Sequence, residues 1–416
     1  MEQTHRVSTV IQICEGCERC TTKGESISEK KRKKRIHPDM DSPARTSTSF
    51  QEKHQIGHHL DCECPLIKLM NFDPVKSVVL DSMHLLYLGV TKFLLESWIH
   101  RTSCARFKLR QVSTFGSILK SIKLDIPSEF QRKQYLVSRW KATQFRFFLL
   151  YAGGIVMKKL LPSNCYKHSL LLVVACRILH NRELMIDYNE YAKELLRQFF
   201  YLLPSLYGKK TQVLSMHNLI HVSDDVINLN LPLSDISAFW GENFIGKFNA
   251  LVKPSRKPLT QIVNRLSELN SSKKIRLKIN NHIDRCIIEK DSLFIYNNQE
   301  YDNVSSIYIN NTIIKPTKPD NCIQLINGTI IIVRKILIKH ESDRKVIKEN
   351  DIYIIGSILL DTYEVFDFPT SSTDIGIVAG NKFSETIEVI SIKSVKFKCE
   401  LLCIDRVNYA VTLLHD

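Results

Sequence analysis

The stretch VLSMHNLIHVSDDV (213–226) sets His217 and His221 four residues apart in an otherwise apolar, helix-like run. A helix turns once every ~3.6 residues, so both imidazoles project from one face. They can reach a single ion, or they can pack as an ordinary helix face. Near the other end of the chain, CEGCERC (14–20) places Cys17 and Cys20 in a CxxC pair, with Cys14 close enough to compete as a ligand. A CxxC presents two thiolates from one tight turn, and structural zinc sites take four ligands. Taken together the halves read as a Cys2His2 site, which obliges the chain to close a loop of about two hundred residues on itself.

The rest of the sequence bounds what such a chain can be. Its 12 cysteines are scattered over 416 residues. MEQTHRVSTVIQICEG has no basic flank followed by an apolar core, so a secreted protein is not expected. The runs FFLLYAGGIVM (147–157) and SLLLVVAC (169–176) are far shorter than the ~20 residues of a membrane span. A reduced, nuclear or cytoplasmic protein is expected, in which close cysteines favour metal binding over disulfides. The formal charge of +15 favours a polyanionic partner, most simply DNA. The run Lys30, Lys31, Arg32, Lys33, Lys34 and Arg35 suits a nuclear-import signal, a DNA-backbone contact or a solvated linker.

Four regions follow from composition and periodicity. Residues 1–29 carry the CxxC, and residues 30–74 form a basic and polar linker. Residues 75–272 recur in apolar positions at spacings of three and four, as in SVVLDSMHLLYLGVTKFLLESWI (77–99) and YNEYAKELLRQFFYLL (188–203). Asp187 with Glu190 predicts a capping box before the second of these. Residues 283–416 hold short β-branched runs such as GTIIIVRKILI and DIYIIGSILL, separated by turn residues. The expected class is therefore α+β, a mostly helical body followed by a small all-β, barrel-like or sandwich domain. Neither a nucleophile elbow nor a GxxxxGK phosphate loop is present.

The order of several blocks resembles the transposases of the CACTA (En/Spm-like) type. These are GCERCTTKGE (16–25), DSMHLLYLGVTKFLLESW (81–98), IPSEFQRK (126–133), SRWKATQFRFFLLYAG (138–153), LSMHNLIHVSDDV (214–226) and AFWGENFIGKFNALVKPSRKPLTQIVNRLSE (238–268). The resemblance implies an RNase-H-like core interrupted by a helical insertion. Two divalent ions, Mg²⁺ or Mn²⁺, would sit on three carboxylates in the order Asp, Asp, Glu and support phosphodiester displacement. By the same resemblance Cys17, Cys20, His217 and His221 match zinc ligands that clip the insertion to the core. Glu242 matches the last carboxylate, and Asp81 and His84 match a family block. For these two, a helix-start Asp with a satisfied histidine is the simpler reading.

The chain departs from that pattern where catalysis would need it. The family's first two aspartates precede the CxxC, yet the first Asp here is Asp39, and Trp240–Gly241 stand where relatives carry Pro-Phe before the glutamate. The expectation is a transposase-derived, zinc-containing DNA-binding protein without strand cleavage, compatible with assembly into oligomers or with other transposase chains. A fragment of an active DDE transposase and a host-adapted protein-interaction module are the alternatives.

Overall fold

The computed structural model describes residues 16–414 apart from 30–31, 60–63, 101–105, 131–135, 253–256, 272–282, 297, 310–311 and 342–347. Its α-helices of eight or more residues are α1 (Lys92–Ile99), α2 (Leu109–Ser121), α3 (Ser163–His180), α4 (Asn189–Tyr207), α5 (Val222–Leu229), α6 (Phe239–Leu251) and α7 (Pro258–Ser271). Strands β1 (Glu25–Glu29) and β2 (Arg32–Ile36) pair as an antiparallel hairpin. From Ile283 to Thr412 the structure is built of antiparallel strands, so the fold is α+β.

The helices start where side-chain chemistry allows. SVVLD (77–81) lies outside the helix expected over 77–99, and a wide π-type turn begins at Met83 and runs into α1. Asp81 supplies the start: its carboxylate accepts the amides of Met83 at 3.1 Å and His84 at 3.0 Å. A second π-type segment covers Phe148–Ala152. Gly89 and Gly153 lie at the far ends of these segments, where an added Cβ would come within 2.9 and 2.8 Å of the carbonyl oxygens of His84 and Phe148. The capping box expected from Asp187 and Glu190 does not form: α4 begins at Asn189 with Tyr188 as N-cap and no side-chain cap.

In the β region, β7 (Ile330–Lys339) and β8 (Ile352–Leu360) align Ile331 with Ile358 and Ile338 with Ile352. β13 (Val395–Ile404) turns into β14 (Val407–Thr412) through Asp405 and Arg406, both at positive φ, which matches the right-handed twist of the strands. The strand path is open at both ends rather than closed, so the barrel expected from the sequence is replaced by an open, branched sheet.

The helical body and the sheet share one core. Leu150, Leu170, Val173 and Val174 belong to the same buried cluster as Phe366, Ile377, Ala379, Leu402 and Val411. Arg177 of α3, fully buried, crosses this seam. Its guanidinium donates to the carbonyls of Ile375 at 2.8 Å, Leu150 at 2.6 Å and Thr412 at 3.2 Å. Burial pulls its pKa down to about 10, against the fields of Tyr151, Cys399 and Glu400, so it remains a cation at neutral pH. Lys398 closes the other side, donating to Glu129 at 2.8 Å and Asp320 at 2.7 Å.

Two histidines of α3 are buried. His168 stacks on Phe199 with ring centroids 4.2 Å apart, and burial lowers its pKa to about 4. His180 bonds the Tyr87 hydroxyl at 2.6 Å, and burial lowers its pKa to about 3. Both folded values lie below the unfolded value of about 6.5, so the unfolded chain binds more protons between them. Their stabilising contribution is therefore complete above pH 6.5 and declines as pH falls toward 4 and then 3. Denaturant melts over this range should show the decline, and His168→Gln should flatten the slope by up to about 1.4 kcal/mol per pH unit. Equal slopes in the two proteins would contradict this assignment.

Candidate metal centre

Four side chains from opposite ends of the helical body converge on one point. The CxxC turn brings Cys17 and Cys20, and two consecutive short turns, Leu214–His217 and Asn218–His221, bring the histidines. Cys17, Cys20 and His217 are buried and His221 is partly buried, with all four ligand atoms within 4.8 Å of one another. Cys20 Sγ lies 3.2 Å from His217 Nε2, which lies 3.4 Å from His221 Nε2. Bond lengths of ~2.3 Å to sulfur and ~2.05 Å to nitrogen put tetrahedral ligands roughly 3.3–3.8 Å apart. The donor set and spacing thus fit one four-coordinate ion.

The surroundings favour that use. His217 Nδ1 faces the His37 carbonyl oxygen at 3.2 Å; donation there leaves Nε2 free to point at the other ligands. The amides of Arg19 and Cys20 both lie 3.4 Å from Cys17 Sγ and stabilise a thiolate. The Cys20 thiol, then His217 and His221, hold Cys17 well below the usual thiol range, while the same bond pushes Cys20 up. Binding an ion through both sulfurs would require both thiols to give up their protons. Burial acts to lower the His221 pKa, but Asp224 and Cys17 outweigh it and the net shift is upward.

A buried ion pair fixes the turn against the body. Arg19, between the two cysteines, donates to Asp225 of α5 at 3.0 Å and also to the carbonyls of Val75 and Val78. Asp225 additionally accepts the Leu80 amide at 2.7 Å, and Arg45 Nε donates to the Cys17 carbonyl at 2.8 Å. Burial raises the Asp225 carboxyl even with Arg19 beside it. Sequence reasoning passed over Arg19, His37, Arg45 and Asp225. A cation inside the CxxC and the Asp-Asp pair after His221 were the available signals.

The remaining candidates lie apart from this centre. Asp81 accepts the Ala238 amide at 2.6 Å in addition to capping its own helix, and His84 pairs with its carboxylate. Glu242 sits exposed on the first turn of α6. Among the described residues, Asp81, His84 and Glu242 belong to no metal-binding group; the Cys2His2 set stands by itself. Lys33, Lys34 and Arg35 are exposed on β2, the side chain of Arg32 on that strand is not described, and Lys30 and Lys31 fall outside the described residues, as does Cys14.

A family described as a domain of unknown function (DUF8592) matches residues 278–413, which span the sheet from β3 (Ile283–Tyr296) to β14. No curated protein and no solved structure matches the chain.

Asp225→Ala should cost about 3–5 kcal/mol, because it strands the Arg19 guanidinium in a buried site. The double replacement Arg19→Met with Asp225→Leu should cost less than that single change. Equilibrium denaturation of the three proteins measures both, and a single-mutant loss below ~1 kcal/mol would show that the pair does not anchor the turn.

Proposed function

We propose that this chain is a transposase-derived, zinc-containing DNA-binding protein, nuclear in location, whose metal is structural. The observation that carries the proposal is the convergence of Cys17, Cys20, His217 and His221 in one buried cluster. Two sulfurs and two nitrogens leave no open position on a tetrahedral ion, which is the pattern of a structural rather than a catalytic zinc. The DNA part is supported by the formal charge of +15 and by the blocks that resemble CACTA-type transposases.

Strand cleavage is not part of the proposal. Two-metal phosphodiester chemistry uses several carboxylates around one site, and Glu242 has no such partners among the described residues. A fragment of an active DDE enzyme would instead need further carboxylates on another part of the protein.

A protein-interaction module is the second reading, and one observation favours it. On α6 the rings of Trp240 and Phe244 stack 5.5 Å apart, Phe248 follows 4.7 Å from Phe244, and Trp240 is 77% exposed. Apolar rails of this kind suit a protein partner better than a phosphate backbone.

Salt titration separates the two. Binding to a DNA duplex should weaken steeply with salt, with a log-log slope near −0.9 per phosphate contacted, and Mg²⁺ or Mn²⁺ should produce no nicking. Salt-insensitive or absent DNA binding would favour the interaction module. Metal-dependent cleavage abolished by Glu242→Gln would restore the enzyme.

A further inference from the structure

Building on the DNA binding proposed above, we infer that the β1–β2 hairpin is the element that contacts duplex DNA and that the metal centre holds it rigid. The hairpin grows directly out of that centre. Only Thr21 to Gly24 separate Cys20, a ligand, from the first residue of β1. At the other end, β2 stops at Ile36, and the next residue is His37, whose carbonyl oxygen lies 3.2 Å from Nδ1 of the ligand His217. His37 is almost fully buried, and its amide donates to the Gln212 carbonyl at 2.7 Å. Both ends of the ribbon are thus tied to residues that hold or orient the ion.

The ribbon away from this root is made for a polyanion. Strand β2 carries four consecutive cations, Arg32 to Arg35, against the two glutamates of β1, Glu25 and Glu29. In the strand register Lys33 faces Ser28 and Arg35 faces Ser26, so no carboxylate lies directly across from these two. Successive side chains on a strand point to opposite faces, which puts positive charge on both sides of the ribbon. Five residues per strand at ~3.3 Å each give a projection of roughly 17 Å. The major groove of B-form DNA, about 12 Å wide, admits a two-stranded ribbon, whereas that of an RNA duplex is too deep and narrow. Duplex DNA is therefore the partner that fits.

The dependence on metal follows from the weakness of small hairpins. A two-stranded ribbon is marginally stable in water without support. This one carries adjacent like charges along β2, and its support is the root at Cys20 and His37. Releasing the ion frees Cys20 and His217 to move, and the ribbon loses the frame that aims its cations.

The test uses the full-length, zinc-loaded chain, a short labelled DNA duplex and fluorescence anisotropy over a salt series. Lys33→Gln with Lys34→Gln should reduce the steepness of the log K against log salt plot by about two. Stripping the metal with a chelator should give the wild-type chain a similarly reduced slope and change the double variant little further. Trypsin should cut within 30–35 faster after chelation. An unchanged slope in the variant would overturn the hairpin as the DNA contact. Equal loss on chelation in wild type and variant, or unaltered trypsin cleavage, would overturn the link to the metal. DNA binding that persists with neither dependence removes this inference and leaves the DNA-binding proposal intact, whereas no DNA binding by the wild-type chain removes both.

Discussion

The closure of Cys20 onto His217, across 197 residues of sequence, is the contact on which the arrangement of the helical body depends. Bringing the ends of so long a loop together costs about 5 kcal/mol of chain entropy. An ion held by these four donors would supply a directional force large enough to offset it, because metal binding that exists only in the folded chain adds to folding free energy. The closure also determines what lies next to it. Arg19 reaches Asp225 and the carbonyls of Val75 and Val78, and Asp225 in turn fixes the amide of Leu80. One residue later Asp81 starts the next helix and ties it to Ala238 at the entrance to α6. A continuous chain of polar contacts therefore links the cysteine turn to the helix that carries Glu242.

The second junction is of a different kind. Where the cysteine turn meets the body through ligands and charge, the sheet meets it mainly through apolar packing, with Arg177 and Lys398 satisfying buried carbonyls and carboxylates at the seam. Because Phe366, Ile377, Leu402 and Val411 lie in the same core as Leu150 and Leu170, the sheet and the helices support each other. The matched domain of unknown function coincides with this sheet, so its inward face is partly the face that receives α3.

How much of this was legible in the sequence varied with the physics involved. The switch from period-3.6 helices to β-branched strands is a local property, and the α+β division followed from it. The two pairs Cys17–Cys20 and His217–His221 were legible because few residue types bind soft metals and both spacings are short. Residues whose role comes from tertiary placement were not. Nothing local distinguishes His37 from other histidines, and its part depends on its carbonyl meeting His217. The helix expected over 77–99 begins late because the apolar pattern continues through Val78 and Val79, while residues 74–78 form a turn and bend whose Val75 and Val78 carbonyls accept from Arg19. The shared core was invisible for a related reason: alternation along β13 sets Leu402 on the same face as Lys398 and Glu400, and only packing against the helical body makes that face buried.

Direct observation of the ion is the most searching measurement. Elemental analysis of the purified full-length chain, combined with X-ray absorption at the zinc edge, reads both stoichiometry and ligands. The expected result is one zinc per chain with two sulfur and two nitrogen neighbours, at about 2.3 and about 2.0 Å. Replacing Cys20 or His217 with Ala should then remove the metal. A chain that is folded without bound metal, or a zinc lacking sulfur ligands, would contradict the account.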